Sequence, residues 1–597
     1  MKQLVCFFCF LLIGNLTTAQ VIPDDRQVNW NLVIENHNFV IPDQQINVKD
    51  YGAIGDGITN DQPAIQSAIN SLNGRLGMVF LPSGNYLLTS PLTLTDSVLI
   101  KGNTSDSTAL LFQFGQQTIN CINIQKGQNT NFVPITDGFE KGSSWIQVNN
   151  PSAFSAGQTI EIRQQNGDWD VVPISWADYS VGQITRITTI INNKLFLESP
   201  LRIDYSADLN PEIRTINPIS NAGIECLKIK RSDAPTEGAG SNISFSYAAN
   251  CVVRGVESDS SVGSHINVNA SANLLIDGCY IHHGYTYDGT GTRGYGVTFS
   301  MHSSECLVTN NIFKKLRHAM SVKTGSNGNV LAYNYSIEPI RSEAIPDFSG
   351  DINLHGHYAY ANLFEGNIVQ NIIIDHYWGP SGPLNTFFRN RAELYGIFMT
   401  SSDLLMTNRQ NFVGNEVTNT NFLYGLYFLT GEDHFEFGNN IRGTITPAGT
   451  NDLTDLSYYL QEKPDFWNAT DWPSIGIPSP ISSGTIPAKQ RYLLGTTRTV
   501  CPQDSTITGG TIDHAMEQIR IGPNPSKGNI WITTPFSGEV NFQMINLAGQ
   551  EVYQTQFGSE ANLPMYVNIP KSIIPGLYLV LINHNQEQQQ FKILITP

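Results

Sequence analysis

The chain has 597 residues, a formal net charge of −17 and only 14% charged side chains. That acidity excludes nucleic acid as a partner. An anionic polymer would have to meet a local basic patch or bridging cations. Abundant Gly, Asn, Ser and Thr suit stacked strands with tight turns, and the length implies several domains or one long solenoid.

At the N-terminus, Lys2, the apolar run from Leu4 to Ile13 and the small-residue step Thr17-Thr18-Ala19 predict a signal peptide over residues 1–19. A buried N-terminal strand is the alternative. The run is too short to span a bilayer, and no later stretch approaches the ~18 uninterrupted apolar residues that a span requires. The mature protein is therefore expected outside the cell, without a transmembrane segment. The stretch from Ile46 to Leu72, INVKDYGAIGDGITNDQPAIQSAINSL, follows. Asn60 and Asp61 can N-cap a helix, and Pro63 suits its first turn. Ala64, Ile65, Ala68 and Ile69 form one apolar stripe, as a helix covering the open end of a solenoid would need. Strands begin between Met78 and Leu88.

From about 131 to 215 the segments Gly157–Arg163, Gly182–Ile190 and Lys194–Ser199 alternate as antiparallel strands do, predicting an inserted β-subdomain. It carries Trp169 and Trp176 near Asp170. Each tryptophan reads equally as a platform for sugar rings and as a packing anchor.

The central region repeats. A residue, often Asn, is followed by largely apolar positions and then by Gly or Asn at the fifth step. The matches run Asn250 to Gly255, Asn273 to Gly278, Glu305 to Asn310, Asn329 to Asn334, Asn362 to Asn367, Asn385 to Asn390, Gln410 to Asn415 and His434 to Asn439. Intervals of 23, 32, 24, 33, 23, 25 and 24 residues fit single coils of a β-helix, two of them carrying inserted loops. The fifth position must turn sharply in the left-handed backbone region, where Gly is free and Asn is tolerated best. Leu275, Leu307, Leu331, Phe364, Phe387 and Phe412 are expected to stack as an interior ladder. Asn334, Asn367, Asn390 and Asn415 are expected to be structural. Cys251 and Cys306 share a column two coils apart, at roughly 9–10 Å for ~4.8 Å per strand. That exceeds the reach of a disulfide, so both are read as buried thiols.

Residues 442–512, rich in Pro, Ser and Thr, are expected to close the solenoid and link it to an independent domain at 518–597. In that domain GPNPSKG from Gly522, LAGQEV from Leu547 and PGLYLV from Pro575 sit in alternating strands of a small β-sandwich. These motifs closely resemble the C-terminal sorting domain of the type IX secretion system of Bacteroidetes. The resemblance covers the whole domain and implies the type IX machinery as a partner, with release or attachment at the outer-membrane surface. A carbohydrate-binding module is the alternative. The Ile46–Leu72 stretch and the strands after it resemble the N-terminal signature of the pectate-lyase-like β-helix superfamily, over about 45 residues. The predicted fold is thus all-β: a right-handed parallel β-helix over 20–441, with an inserted β-subdomain and a small C-terminal β-sandwich. That superfamily hosts lyases, hydrolases, epimerases and adhesins, so the fold alone leaves the reaction open.

One strand per coil offers a site. Ile266 and Val268, Val297 and Phe299, Met320 and Val322, Ile352 and Leu354 alternate; if they point inward, their neighbours point out. The outward columns then read Asn267, Thr298, Ser321, Asn353 and Asn269, Ser300, Lys323, His355, with His302 and His357 one step further. His283, Arg317, His318, Arg341, Asp351, Asp375, His376, Arg389 and Arg391 flank them, and loops at about 282–295 and 336–350 would wall the groove. Two reactions on an extracellular polysaccharide suit this patch. In β-elimination a base removes the proton α to a uronate carboxylate, a cation stabilises the enolate and an acid protonates the leaving oxygen. Lys323 is the candidate base if its surroundings lower its pKa, with His355 and His357 as catalytic partners. His302, Asn269, Asn353, His376, Arg389 and Arg391 are candidate substrate ligands. The alternative, glycoside hydrolysis, needs two carboxyl groups, for which Asp347, Asp351, Glu365 and Asp375 are available; polygalacturonase motifs are missing. A third reading is a non-catalytic glycan-binding surface protein.

The segment from Ser321 to Asn334, followed by Ile352 to Asn367, distantly resembles the alginate-lyase and chondroitinase-B group of β-helix lyases. On that resemblance Lys323 matches the catalytic base. Where the group carries Arg before His-Gly, this sequence has Leu354-His355-Gly356, which leaves the acid open. The group often uses calcium to neutralise the carboxylate. No acidic cluster in the sequence marks such a site, and no metal ligand is assigned.

Overall fold

The computed structural model describes residues 20–502 and 520–595, apart from residues 129, 234–237, 290, 341–349, 377, 401–405, 468–470, 496, 523–528, 535–537, 547–549, 560–564 and 585–586. The expected signal peptide, most of the linker after 502, and the GPNPSKG and LAG turns of the last domain lie outside these residues. Residues up to 502 and those beyond form two separate units.

In the first unit the chain coils as a parallel β-helix. Each coil gives one short strand to a 12-stranded parallel sheet running from Gln45–Asn47 to Phe435–Phe437. It then adds strands to a second and a third parallel series, which Ile368–Ile374 and Arg391–Met399 bridge by running on from one into the other. Ile65, Ala68 and Ile69 of the helix Gln62–Ser71 are buried against the first coil. Asp61 accepts from Ile54 N and Gly55 N rather than capping that helix with its side chain.

Every strand of the first sheet in the repeat is three residues long because a left-handed residue stands at each end. The closing column reads Gly255, Gly278, Asn310, Tyr333, Gly366, Arg389, Gly414 and Gly438, with φ between 51° and 64°. The sequence pattern therefore slips by one residue: from the fourth coil on, its Asn lies just after the turn and not in it. The interior ladder shifts accordingly. Leu331, Phe364, Phe387 and Phe412 do stack inside, the phenylalanine rings 5.0 Å apart and 7° from parallel. Leu275 and Leu307 face outward, and Ile276 and Val308 take their places.

The asparagines just inside the turns form two buried ladders. Asn311, Asn334, Asn367, Asn390, Asn415 and Asn439 pass one amide hydrogen bond per coil, each Nδ2 donating to the next Oδ1 at 2.9–3.1 Å. Asn329, Asn362, Asn385 and Gln410 do the same at the other end of the strand. Cys251, Cys279 and Cys306 occupy the same columns in earlier coils as free buried thiols. Burial pushes each of their pKa values up to about 12. Asn390→Leu would leave Asn367 N and one of the two Asn367 Nδ2 protons, which now bond to Asn390 Oδ1, without an acceptor in a dry interior, the other Nδ2 proton keeping Leu331 O. An unsatisfied buried donor costs about 1–3 kcal/mol, so the expected loss is about 2–4 kcal/mol, read as a lower midpoint of denaturant unfolding.

The segment expected only to end the solenoid instead runs back along it. Tyr458, Tyr459 and Trp467 cover Tyr333 and Phe388. Arg491 reaches Asn310, and Cys501 joins Cys226 in a disulfide across 275 residues. Between coils, residues 133–216 form a closed six-stranded antiparallel barrel around Ile146, Ile160, Ile162, Ile187, Leu195 and Ile213. The second unit packs a three-stranded and a four-stranded antiparallel sheet around Ile530, Val540, Phe542, Val580, Ile582 and Ile593.

Candidate functional site

The third series of strands sends Ile266, Val268, Val297, Phe299, Met320, Val322, Ile352 and Leu354 into the core. Their neighbours are thereby fixed on the outer wall. One outer column runs Asn123, Ser244, Asn267, Thr298, Ser321, Asn353. The other runs Gln125, Ser246, Asn269, Ser300. Main-chain bonds from Lys323, His355 and Asp375 to Phe299, Val322 and Leu354 continue that second column through those three residues. Successive members stand ~4.8 Å apart. The N-terminal part is neutral and bonded within itself, Gln125 Nε2 to Ser244 Oγ at 2.7 Å and Ser300 Oγ to Asn269 Oδ1 at 3.1 Å. Charge gathers at the Lys323, His355 and Asp375 coils.

Lys323 is half-buried, and burial alone lowers its pKa from the ordinary lysine value. No described residue offers its ammonium a hydrogen bond or a counter-charge. Beside it in the column, His355 Nδ1 lies 2.6 Å from Asp375 Oδ2, the oxygen that also accepts from Asn353 Nδ2 at 2.8 Å. Burial works to raise the Asp375 pKa, but attraction to His355 and the bonds from His355 and Asn353 outweigh it and hold it at about 2. An ionised Asp375 keeps the proton on His355 Nδ1 and directs Nε2 toward Tyr295 OH, 3.4 Å away. Arg317 Nη1 donates to that hydroxyl at 3.2 Å. The His318 ring stands edge-on to Tyr295 at 4.6 Å and 5.7 Å from His355. Burial, with the charges of Arg317 and His355, holds His318 far below the ordinary histidine pKa. This arrangement supplies a neutralisable amine and an oriented imidazole on one stretch of wall, with a buried phenol and a buried guanidinium behind them. It does not fit calcium: Asp375 is its one carboxylate among the described residues, and Oδ2 is already taken.

Residues 45–194 match the family model described as rhamnogalacturonase A/epimerase, pectate lyase-like. Residues 520–596 match the secretion system C-terminal sorting domain. In fold the chain is similar to the tailspike gp61 of Pseudomonas phage phi297, with a TM-score of 0.50 and 15% identity over 67% of this chain and 76% of that one. In sequence it is 42% identical over 64 residues to mannuronan C5-epimerase AlgE6 of Azotobacter vinelandii. It is 50% identical over 48 residues to plasmin and fibronectin-binding protein A of Streptococcus pneumoniae. Each match spans 7% of the relative's length.

The first unit is a right-handed parallel β-helix whose residues 45–194 match a pectate-lyase-like model. The second is a sorting domain, which makes the protein a secreted or cell-surface one. No helix among the described residues is long and apolar enough to cross a membrane.

On this β-helix the expected ligands divide. Asn269, Lys323 and His355 share the outer wall, whereas Asn353, in the same wall, is fully buried between Ser321 and Asp375 and is not a substrate ligand. His357 is fully buried, roofed by Trp176 at 5.2 Å and Trp169 at 6.3 Å, so no substrate reaches it. His302, also fully buried, fastens the inserted barrel to the coil through Glu161 Oε1 at 2.9 Å and Tyr179 O at 2.7 Å. His376 is buried against Thr407 Oγ1 at 3.0 Å. Arg389 donates to the carbonyls of Asp455, Ile475 and Ile477, and Arg391 pairs with Glu416 at 2.6 Å and bonds Gly484 O. Both arginines hold the returning segment and are not substrate clamps.

Among the carboxyls considered for hydrolysis, Asp351 is fully enclosed by Ser336, Gln370 and Asn371. Glu365 is bound by Ser457, Tyr458 and Tyr333. Asp347 and Arg341 lie outside the described residues. Trp169 packs on Tyr358 at 4.7 Å, whereas Trp176 is 47% exposed beside Trp378 and remains a surface ring. Tyr295 was not anticipated, because nothing in the period-2 pattern marks it. The role of Asp375 follows from extending the outward column by one coil, past His355.

Proposed function

We propose that this protein is a secreted polysaccharide lyase that cleaves a uronate-containing polymer by β-elimination. Neutral Lys323 removes the proton α to the carboxylate. The imidazole of His355, oriented by Asp375, faces the developing enolate, and the buried Arg317 guanidinium adds positive charge behind it. His355, when its ring carries a proton on each nitrogen, returns the Nε2 proton to the leaving oxygen. The polymer would lie across the strands, its flanking sugars over the neutral amides and hydroxyls of Asn123 to Ser300. The observation that carries this reading is the half-buried, unpartnered Lys323 amine one strand from a carboxylate-held imidazole. Hydrolysis needs two available carboxyl groups, and the described residues do not supply them. Asp351 and Glu365 are sequestered, and Asp375 is committed to His355.

A second reading is C5 epimerisation, favoured by the 64-residue likeness to a mannuronan C5-epimerase. It begins with the same proton abstraction and ends with reprotonation in place of bond cleavage. Incubation with alginate, pectate, glycosaminoglycan and ulvan separates the readings. A lyase yields ultraviolet absorbance from unsaturated uronate together with new reducing ends. A hydrolase yields reducing ends alone, and an epimerase changes only the uronate ratio seen by NMR. Binding without any product would point to a surface adhesin and overturn the enzymatic reading.

A further inference from the structure

On the outer face of the second series of strands stands a cluster that the proposed reaction does not use. Asp259, His282 and His283 bring a carboxylate oxygen and two ring nitrogens within 4.8 Å of one another. Asp259 lies directly opposite His282 in the strand register. Consecutive residues of an extended strand point to opposite faces, yet His283 has φ 60°, a left-handed conformation uncommon for histidine, and its ring turns back toward that of its neighbour. The two Nδ1 atoms face each other at 2.7 Å, and His282 Nδ1 is 3.7 Å from Asp259 Oδ1.

The far side of His282 is also built. Its Nε2 lies 3.1 Å from Glu257 Oε1. Donation of the Nε2 proton to that carboxylate leaves the Nδ1 lone pair free to coordinate, the outer-shell pattern that orients metal-binding histidines. Lys228 and Lys230 hold Asp259 Oδ2 at 3.2 and 3.1 Å, and Ser260 Oγ donates to Oδ1 at 2.8 Å. Oδ1 therefore retains a lone pair facing the imidazoles. Lys314 stands opposite His282 in the next coil. Tyr280 stacks on the His282 ring at 4.1 Å, and His265 Nε2 bonds His283 O at 2.7 Å. His283 is partly exposed, which gives an ion a way in.

We propose that Asp259 Oδ1, His282 Nδ1 and His283 Nδ1 form a site for a first-row divalent transition-metal ion of the zinc class. Two imidazoles and one carboxylate suit such ions better than calcium or magnesium, which prefer all-oxygen shells. Three protein ligands leave the fourth position of a tetrahedral ion to water. Zinc–nitrogen bonds of about 2.0–2.1 Å in a tetrahedral shell require the two Nδ1 atoms to separate by about 0.6–0.7 Å. On binding, the His283 proton moves by exchange with solvent from Nδ1 to Nε2, so that a neutral imidazole offers its Nδ1 lone pair to the ion. The nearby lysines weaken the site without filling it, since none bonds to a ligating nitrogen.

The test is calorimetric titration of tag-free full-length protein with zinc chloride, and in parallel with calcium chloride. One zinc ion per chain and no calcium response are expected. His283→Gly, which suits the same backbone conformation, and His282→Gln, whose amide can still reach Glu257, should each weaken zinc binding at least about 10-fold. Circular dichroism confirms that both variants are folded. Zinc-edge X-ray absorption of the wild type, which needs no variant, should show imidazole scattering from two ligands. Absence of zinc binding, equal calcium binding, a spectrum without imidazole, or unchanged affinity in both variants would overturn the site.

Discussion

Lys323→Met is expected to lower turnover of a uronate polymer by about 10²–10⁴-fold, the usual contribution of a positioned general base. Methionine keeps the length and packing of the aliphatic stem and removes only the amine. The same substitution should leave stability unchanged or raise it, because it deletes a half-buried cation that has no described counter-charge. A lysine kept for structure would behave in the opposite way, so loss of rate together with retained stability separates the two roles. The pH dependence follows from the lowered pKa. A base is active when neutral, so the rate should rise with pH and level off above the folded-state pKa, below that of free lysine. In the folded state Lys323 binds its proton less readily than in the unfolded chain. Wild-type stability should therefore gain on the methionine variant as pH rises between those two values, and lose that gain as pH falls. Parallel pH–rate and pH–melting profiles of the two proteins measure both effects.

Asp375→Asn is expected to reduce turnover by about 10²–10⁴-fold while leaving the coil intact. The carboxylate accepts from His355 Nδ1 and Asn353 Nδ2 through one oxygen. An amide oxygen in that place still accepts from both, but it carries no charge, so the imidazolium that His355 must become to donate its Nε2 proton loses its counter-charge. A stability effect accompanies it. With its pKa held at about 2 from an ordinary 3.8, Asp375 contributes about 2 kcal/mol at neutral pH. That contribution is complete above the unfolded carboxyl pKa and disappears as pH falls through about 2. Acid unfolding should therefore narrow the gap between wild type and variant. A steady gap from pH 7 to pH 2, or full turnover by the variant, would remove Asp375 from the site.

Much of the fold is legible in the sequence because the coil imposes a simple rule on it. Alternation at Ile266 and Val268, repeated through Ile352 and Leu354, determines which residues face outward, and the outer columns through Lys323 and His355 follow. In the first sheet the repeat places the turn one residue late from the fourth coil onward, and the interior ladder one residue early in the second and third. Left-handed turns there fall on Tyr333 and Arg389, residue types that do not announce a turn, while the Asn beside each turn does. The buried histidines and arginines failed for another reason. His302, His357, Arg389 and Arg391 are covered by segments distant in sequence, the inserted barrel and the returning strand after Asp455. Periodicity along a coil carries no information about what packs on its outside. Tyr295 joins the site through a contact across coils, 60 residues from His355, a distance at which a single sequence gives no signal.

The most direct test of the account is a crystal structure of the Lys323→Met variant soaked with an oligouronate that the wild type cleaves. The chain of sugars should cross the strands of the third series, with one carboxylate facing His355 and its α carbon beside the methionine. Saccharide bound to the inserted barrel, to the first sheet or along the returning segment, with the Lys323 wall left bare, would contradict it.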